Sequence, residues 1–332
     1  MQAFVIRDVA DFVEHVGGFL TSRPVEHNVL ATVVATLEPT DASTAPLFGW
    51  VEAAGTGEIL GAALRTPPRP LLASSLSADV ADALMAKLLE ADPELPGVTG
   101  PQPAAASLAE AWRRGTGGTV EPGMRQAIYW LAGVEDPPGR PAGRARPTGR
   151  ADRQLMIDWA SAFSRDAGAP AADAESGMAR RLRDGRVLVW DDDRVVSMVG
   201  SSPPVAGVVR LGPVYTPPEA RRHGYATALV AEVSRRALAA GATTCMLYTD
   251  LANPTSNHIY QAVGYDRASD AQEYLFSRAE SCGWPGVGIR STRVRPPRAA
   301  ATSSVAGDHG PRSTALRREA RAARPAGSRG RR

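Results

Sequence analysis

The chain has 332 residues, 43% apolar and 22% charged, a balance that excludes fibrous and wholly disordered classes. No stretch approaches the roughly 20 consecutive apolar residues of a membrane span. Asp8, Asp11 and Glu14 follow Met1 where a secretion leader would be basic and then apolar, so a cytoplasmic protein with no membrane partner is expected. Two cysteines, Cys245 and Cys282, make no disulfide framework, and the five scattered histidines show no ligand spacing, so no metal is expected. The net charge of +3 hides an asymmetry: Ser277 to Arg332 holds 13 arginines against Glu280, Asp308 and Glu319, leaving the rest of the chain at −7. The basic character therefore belongs to the tail and does not argue for nucleic-acid binding by the folded part.

In chain order, Val9, Phe12, Val13 and Val16 fall at helical spacing. Leu47 to Glu52 and Ile59 to Arg65 are apolar runs around Gly55-Thr56-Gly57, the pattern of a hairpin. Val80, Leu84 and Leu88 share the face of a helix over Ala78 to Glu90, with Ser77 as its cap. A shorter helix over Leu108 to Trp112 and a strand over Gln126 to Leu131 close a first domain at residues 1–132. Residues 133–150 have a Pro or Gly every few positions and no apolar period, which predicts a linker.

A second domain, residues 151–276, follows. Leu155, Trp159 and Phe163 mark one helix and Met178 to Leu182 another; Arg186 to Trp190 and Arg194 to Gly200 are strands joined by Asp191-Asp192-Asp193. Val208 to Tyr215 is a strand, and Gly224 to Ala240 is an amphipathic helix carrying Ala226, Val230, Val233 and Ala237 on its apolar face. Thr243 to Thr249 is a strand, Pro254 to Val263 a helix opened by Asn253, and Glu273 to Phe276 a last strand. Helices alternating with strands define an α/β (α+β) fold with a mixed sheet. Residues 277–332 form an Arg-rich tail, expected to be disordered.

Chemistry concentrates between Val208 and Tyr265. The strand ending in Tyr215-Thr216-Pro217 leads to Arg221-Arg222-His223-Gly224-Tyr225-Ala226 and the long helix. A turn with a glycine and a small residue leaves main-chain N–H groups uncovered at a helix N-terminus, where the dipole also favours negative charge, as a pyrophosphate requires. Arg221 and Arg222 add side-chain charge suited to phosphate oxygens.

Arg221-x-x-Gly224-x-Ala226 after a strand ending in Val-Tyr resembles the acyl-CoA loop of the GCN5-related N-acetyltransferases (GNAT). Asn253-Pro-Thr-Ser-Asn257-His-Ile-Tyr260-Gln-Ala-Val-Gly264-Tyr265 resembles the late motif of the same family. The resemblance covers about residues 150 to 276. It implies a GNAT-type mixed sheet flanked by helices, with either a degenerate tandem copy of the actinobacterial type or a separate cap domain at the N-terminus.

The function implied is transfer of an acetyl group from acetyl-CoA, as donor substrate, to a primary amine by direct attack in a ternary complex. The cofactor contacts implied are Val214, Tyr215, Arg221, Arg222, His223, Gly224, Tyr225, Ala226, Asn253 and Asn257. Near Val214 and Tyr215 a backbone N–H polarises the acetyl carbonyl, and Gly212-Pro213 disturbs strand pairing there. Tyr260 is the implied acid for the leaving thiolate, since a phenol of pKa about 10 stays protonated at pH 7. Asn253 is also a simple helix cap, and Tyr260 has the spacing of a core aromatic. The general base stays open among Asp250, Tyr215 and a water chain, because Arg210 and Leu211 precede Gly212 where the family often has a carboxylate.

In the first half Ala73-Ser74-Ser75-Leu76-Ser77, the counterpart of the phosphate turn, has neither glycine nor arginine, so this half is expected to shape the acceptor pocket. Two other functions remain open: a non-catalytic acyl-CoA-binding or sensing module, and a polyanion-binding protein acting through the tail, although that tail has no aromatic beyond Trp284 for base stacking.

Overall fold

The computed structural model describes residues 1–37, 45–137, 139–166 and 171–278. The tail expected to be disordered lies outside the described residues apart from Ser277 and Arg278, and Cys282 lies outside with it. The first half runs β1 (Gln2–Ile6), α1 (Val9–Ser22), α2 (Asn28–Ala35), β2 (Leu47–Glu52), β3 (Ile59–Arg65), β4 (Leu71–Ala73), α3 (Ala78–Ala91), β5 (Gly97–Pro101), α4 (Gln102–Thr116) and β6 (Thr119–Leu131). The second half repeats that order: β7 (Arg144–Pro147), α5 (Arg153–Asp166), α6 (Ala171–Arg183), β8 (Val187–Asp191), β9 (Val195–Ser201), β10 (Val208–Tyr215), α7 (Tyr225–Ala239), β11 (Thr244–Asp250), α8 (Pro254–Gln261) and β12 (Asp266–Ser277).

Local chemistry accounts for the element ends. The Asp8 carboxylate accepts from the N–H groups of Ala10 and Asp11 at 2.8 and 3.0 Å and so starts α1. The β2–β3 hairpin turns on Gly55 and Gly57, both at positive φ. Ser77 precedes α3 as expected but caps no backbone amide; its hydroxyl bonds the Asp79 carboxylate instead. The helix expected over Leu108 to Trp112 runs from Gln102 to Thr116, because an alanine-rich stretch favours helix without displaying a clear apolar period. The segment expected to link the halves carries β7 as an edge strand, held by Arg146, whose guanidinium lies 2.7 Å from Asp152 and 2.6 Å from Asp191.

The twelve strands of the described residues form one sheet in the order β1-β2-β3-β4-β5-β12-β6-β11-β10-β9-β8-β7. Its centre is an exchange. β6, from the first half, pairs with β11 of the second; β12, from the second half, pairs with β5 of the first; β6 and β12 pair antiparallel with each other. Trp112 stacks on Phe276 at 4.3 Å and fastens β12 to α4.

In the second half α7 covers one face of the sheet, packing Ala228, Leu229, Val230 and Val233 against Val209, Leu211, Cys245 and Leu247. Met156, Ala160 and Met178 of α5 and α6 cover the other face at β8 and β9. Because side chains alternate along a strand, Val208 and Arg210 of β10 and Met246 and Tyr248 of β11 lie on the α5–α6 side. Among the described residues no helix is long and apolar enough to cross a membrane.

Candidate active site

β10 is the hinge of the site. It pairs parallel with β11 only over Val208–Arg210, opposite Thr244–Met246. On its other edge it bulges between Leu211 and Val214 and then resumes antiparallel pairing with β9, Val214 opposite Val199 and Tyr215 opposite Met198. β11 meanwhile stays paired to β6 as far as Asp250. One strand is thus held straight while its neighbour peels away, leaving the β11-facing edge of Leu211–Tyr215 without a strand partner. The disturbance expected at Gly212-Pro213 lies inside this bulge, a usual device for ending pairing beside a site.

The loop from Thr216 to α7 supplies main-chain donors. Arg222 and Gly224 are left-handed, at φ 67° and 79°. Positive φ at a non-glycine residue costs about 1 kcal/mol and persists only where the surroundings hold it. The Arg221 amide bonds Pro218 O at 3.3 Å, and the first helical bond runs from Ala228 N to Gly224 O at 3.0 Å. Between them, the N–H groups of Arg222, His223, Gly224, Tyr225, Ala226 and Thr227 find no acceptor among the described residues. Arg221 to Gly224 are exposed, so these donors stand at the surface and not inside a packed core. A Cβ at Gly224 would find its nearest neighbour, Pro141 Cδ, 4.0 Å away, so glycine is needed here for its φ and not for space.

The side chains divide the work. Arg221 is occupied, its Nε bonding Thr216 O at 3.0 Å and its guanidinium lying 3.6 Å from Asp166. Arg222 has no such partner among the described residues. Tyr225 turns its phenol to Asp192 Oδ2 at 2.6 Å and stacks on His223 at 5.5 Å, so its side chain braces the loop against the β8–β9 turn. The Asp192 carboxylate raises the Tyr225 pKa. In the sequence Asp191-Asp192-Asp193 reads only as a turn, and the tyrosine that opens the helix is the one local sign of the partner that Asp192 finds.

On the far side of the gap, Asn253 caps α8 by accepting from Ser256 N at 3.1 Å. Asn257 donates to Asn253 O at 3.1 Å and to Asp250 O at 3.4 Å, while its Oδ1 is buried with no partner among the described residues. Tyr260 packs in the α7 cluster, its ring 6.3 Å from Tyr129 and 6.1 Å from Tyr265, with Val214 among the neighbouring apolar groups. Its hydroxyl makes no hydrogen bond to a described residue, and burial pushes its pKa up. Of the candidate bases, Asp250 Oδ1 accepts from Ala252 N at 2.8 Å, and Tyr215 lies against Trp159 at 5.7 Å.

A strand pair that opens beside a helix whose first amides are bare is an architecture for holding a phosphorylated chain between strands. Residues 153–265 match the model of the acetyltransferase (GNAT) family. Among similar solved structures are a GCN5-related N-acetyltransferase from Sphaerobacter thermophilus, at TM-score 0.59 and 15% identity over 83% of this chain and 95% of that one, and an acetyltransferase from the GNAT family from Colwellia psychrerythraea, at 0.52 and 11% over 83% and 100%. A GCN5-related N-acetyltransferase from Kribbella flavida aligns at 0.52 and 15% over 77% of this chain and 95% of that one. At such identities the likeness speaks for the fold alone. No curated protein matches the sequence. Residues 153–265 thus match the GNAT family, and the mixed sheet flanked by helices is the fold those solved structures share.

Proposed function

We propose that the protein is an N-acetyltransferase that moves the acetyl group of acetyl-CoA to a primary amine, with both substrates bound together. The observation that carries this reading is the run of six unpaired amides from Arg222 to Thr227, opening α7 beside the gap between β10 and β11. They suit a diphosphate, with the Arg222 guanidinium as an added charge, while Arg221 braces the loop. The open edge of Leu211–Tyr215 offers main-chain groups to a pantetheine arm and, near Val214 and Tyr215, a donor for the acetyl carbonyl oxygen. The orphaned Asn257 Oδ1 is an acceptor waiting for an amide N–H of that arm.

Chemically, the amine nitrogen bonds to the acetyl carbon, the carbon–sulfur bond breaks, the thiolate takes a proton, and the nitrogen gives up one N–H proton as the amide forms, which restores the acid. Tyr260 supplies that proton: its apolar surroundings keep the phenol protonated, and a thiolate in the same low-dielectric gap is a strong base. The amine, of pKa about 10.4, must first lose its own proton, which costs roughly 4 to 5 kcal/mol at pH 7 unless the site lowers its pKa. Asp250, Tyr215 or water takes it up. The first half is a degenerate copy that shapes the acceptor pocket: its β4–α3 turn, Ala73 to Ser77, stands where the phosphate loop stands in the second half, without the glycine or the arginines.

A non-catalytic acyl-CoA-binding module is the second reading, favoured by Asp250 Oδ1 already being engaged by a backbone amide. Thiol release from acetyl-CoA in the presence of an amine panel separates the two. Sustained release that depends on the amine supports the transferase; saturable binding of acetyl-CoA without release under any amine supports the module.

A further inference from the structure

On the α5–α6 side of the bulge lie two guanidinium groups that pair with no carboxylate among the described residues. Arg181, from the last turn of α6, reaches over β9 at Gly200. A Cβ there would come within 3.0 Å of the Arg181 Cδ and of Gly212 O, so the glycine makes the seat on which this arginine lies against the bulge. Arg181 gives one hydrogen bond, Nη1 to Gly177 O at 3.0 Å, and its Nε is buried with no partner. Arg210, on β10 two residues before Gly212, has backbone bonds to Ser202, but its side chain meets no acceptor among the described residues.

Burial lowers the pKa of both, and for Arg181, pushed down to about 10, the nearby charges of Arg210, Arg180 and Arg186 add to it. Arg186 Nε is buried and unpaired as well, and the neighbouring acid, Asp184, is spent on Arg186 and Arg183. Tyr248 of β11, its phenol pushed up to about 12 by burial, is the titratable neighbour of Arg210 and a neutral donor. Neither arginine is sealed off, since both keep intermediate exposure.

Like charges gathered out of water without a counter-charge are unfavourable, and such arrangements are kept where a ligand completes them. A separate cleft of about 510 Å3, lined by Arg23, Glu26, Ser75, Gln102, Ile128 and Asp270 among others, includes neither arginine and reaches their strands only through Ile128, which packs with Val208, Met246 and Tyr248.

We infer that the acceptor is an amine carrying an anionic group, a carboxylate or a phosphate, held by Arg181 and Arg210 on the α5–α6 face of the sheet beside the Gly212-Pro213 bulge. This inference rests on the transferase reading for the word acceptor, but the anion site stands or falls on its own measurement. In the transferase reading the donor chain would enter the gap from the bare amides at the start of α7, and an acceptor fixed by its anion on the opposite face would bring its amine to the carbon from the other direction.

The test uses the full chain and the variants Arg181→Met and Arg210→Met, which keep length and remove charge. Acetyl-CoA titration comes first: native protein that fails to bind it sinks the transferase reading and leaves the anion site to the melting experiment below. Thiol release is then compared within matched pairs, leucine against isoamylamine and glucosamine 6-phosphate against glucosamine, which tells carboxylate from phosphate. Native protein should favour the anionic member of one pair by about tenfold or more in kcat/KM, and that ratio should fall close to one in each variant. Equal turnover of both members of both pairs by native protein overturns the proposal, as does a ratio unchanged by the variants. Where no amine in the panel is turned over, melting in sodium sulfate decides: sulfate should raise the Tm of native protein more than that of Arg210→Met, and equal increments overturn the site.

Discussion

Tyr260 and Arg222 carry the proposed function at the scale of single residues. A phenol inside an apolar cluster stays protonated across the working pH range, so Tyr260 costs nothing to keep in the acid form and is useful only when a base arrives. Tyr260→Phe removes one proton and little volume. It should lower kcat about a hundredfold while acetyl-CoA affinity, read by calorimetry, stays within a factor of about two. An equal loss in both would make the tyrosine a packing residue. Arg222 was readable by type and position as a candidate for phosphate contact, the role proposed for it here. Its left-handed backbone was not legible, because nothing in an Arg-Arg-His-Gly string announces which residue turns.

His27 carries a separate prediction. It stacks on Phe19 at 4.5 Å and its Nδ1 lies 3.0 Å from Phe19 O, while Nε2 is buried without a partner. Burial lowers its pKa from 6.5, so below about pH 6.5 the unfolded chain binds a proton that the folded chain refuses. Stability is therefore full above pH 6.5 and falls as pH drops through the interval down to the folded-state pKa. Urea midpoints measured from pH 7.5 to 5 should decline, and His27→Gln should flatten that decline; an unchanged slope would contradict the assignment.

At the level of elements, the legible parts were those whose apolar pattern is local. The β2–β3 hairpin, β10, α7 and α8 with its Asn253 cap follow from periods of two or 3.6 and from turn residues. β12 did not follow. Its apolar residues are sparse, and its pairing partners, β5 and β6, lie more than a hundred residues earlier, so only the far end, Glu273 to Phe276, reads as strand. β7 was hidden for another reason: an edge strand held by Arg146 needs no apolar face.

The exchange makes β12 a structural clasp. Phe276 stacks on Trp112 in the core of the first half, 9% exposed. Phe276→Ala should reduce unfolding free energy by about 3 kcal/mol in a denaturant titration, through lost burial and the cavity left behind. A loss under about 1 kcal/mol would mean that β12 is held by its ladder alone.

For the whole molecule, the two halves share one order of elements and trade their last strands, so both are parts of a single sheet. The mixed α/β class, the repeated order and the glycine turn that opens α7 were all within reach of the sequence; the trade was not, since pairing between distant strands leaves no local period. Charge follows the same division. The folded part is acidic overall, yet it gathers Arg222 at the loop and Arg181 with Arg210 behind the bulge, so positive potential is local to the places where anions are proposed to bind.

The central claim is that a diphosphate sits on the bare amides between Arg222 and Thr227. Titration of the full chain with acetyl-CoA and with S-acetylpantetheine, which keeps the thioester arm and lacks the diphosphate, tests it directly. Acetyl-CoA should bind about a hundredfold more tightly, a difference that shrinks when Arg222→Ala and Gly224→Ala are combined. Equal affinity for the two ligands, or an affinity for acetyl-CoA indifferent to that double variant, would contradict it.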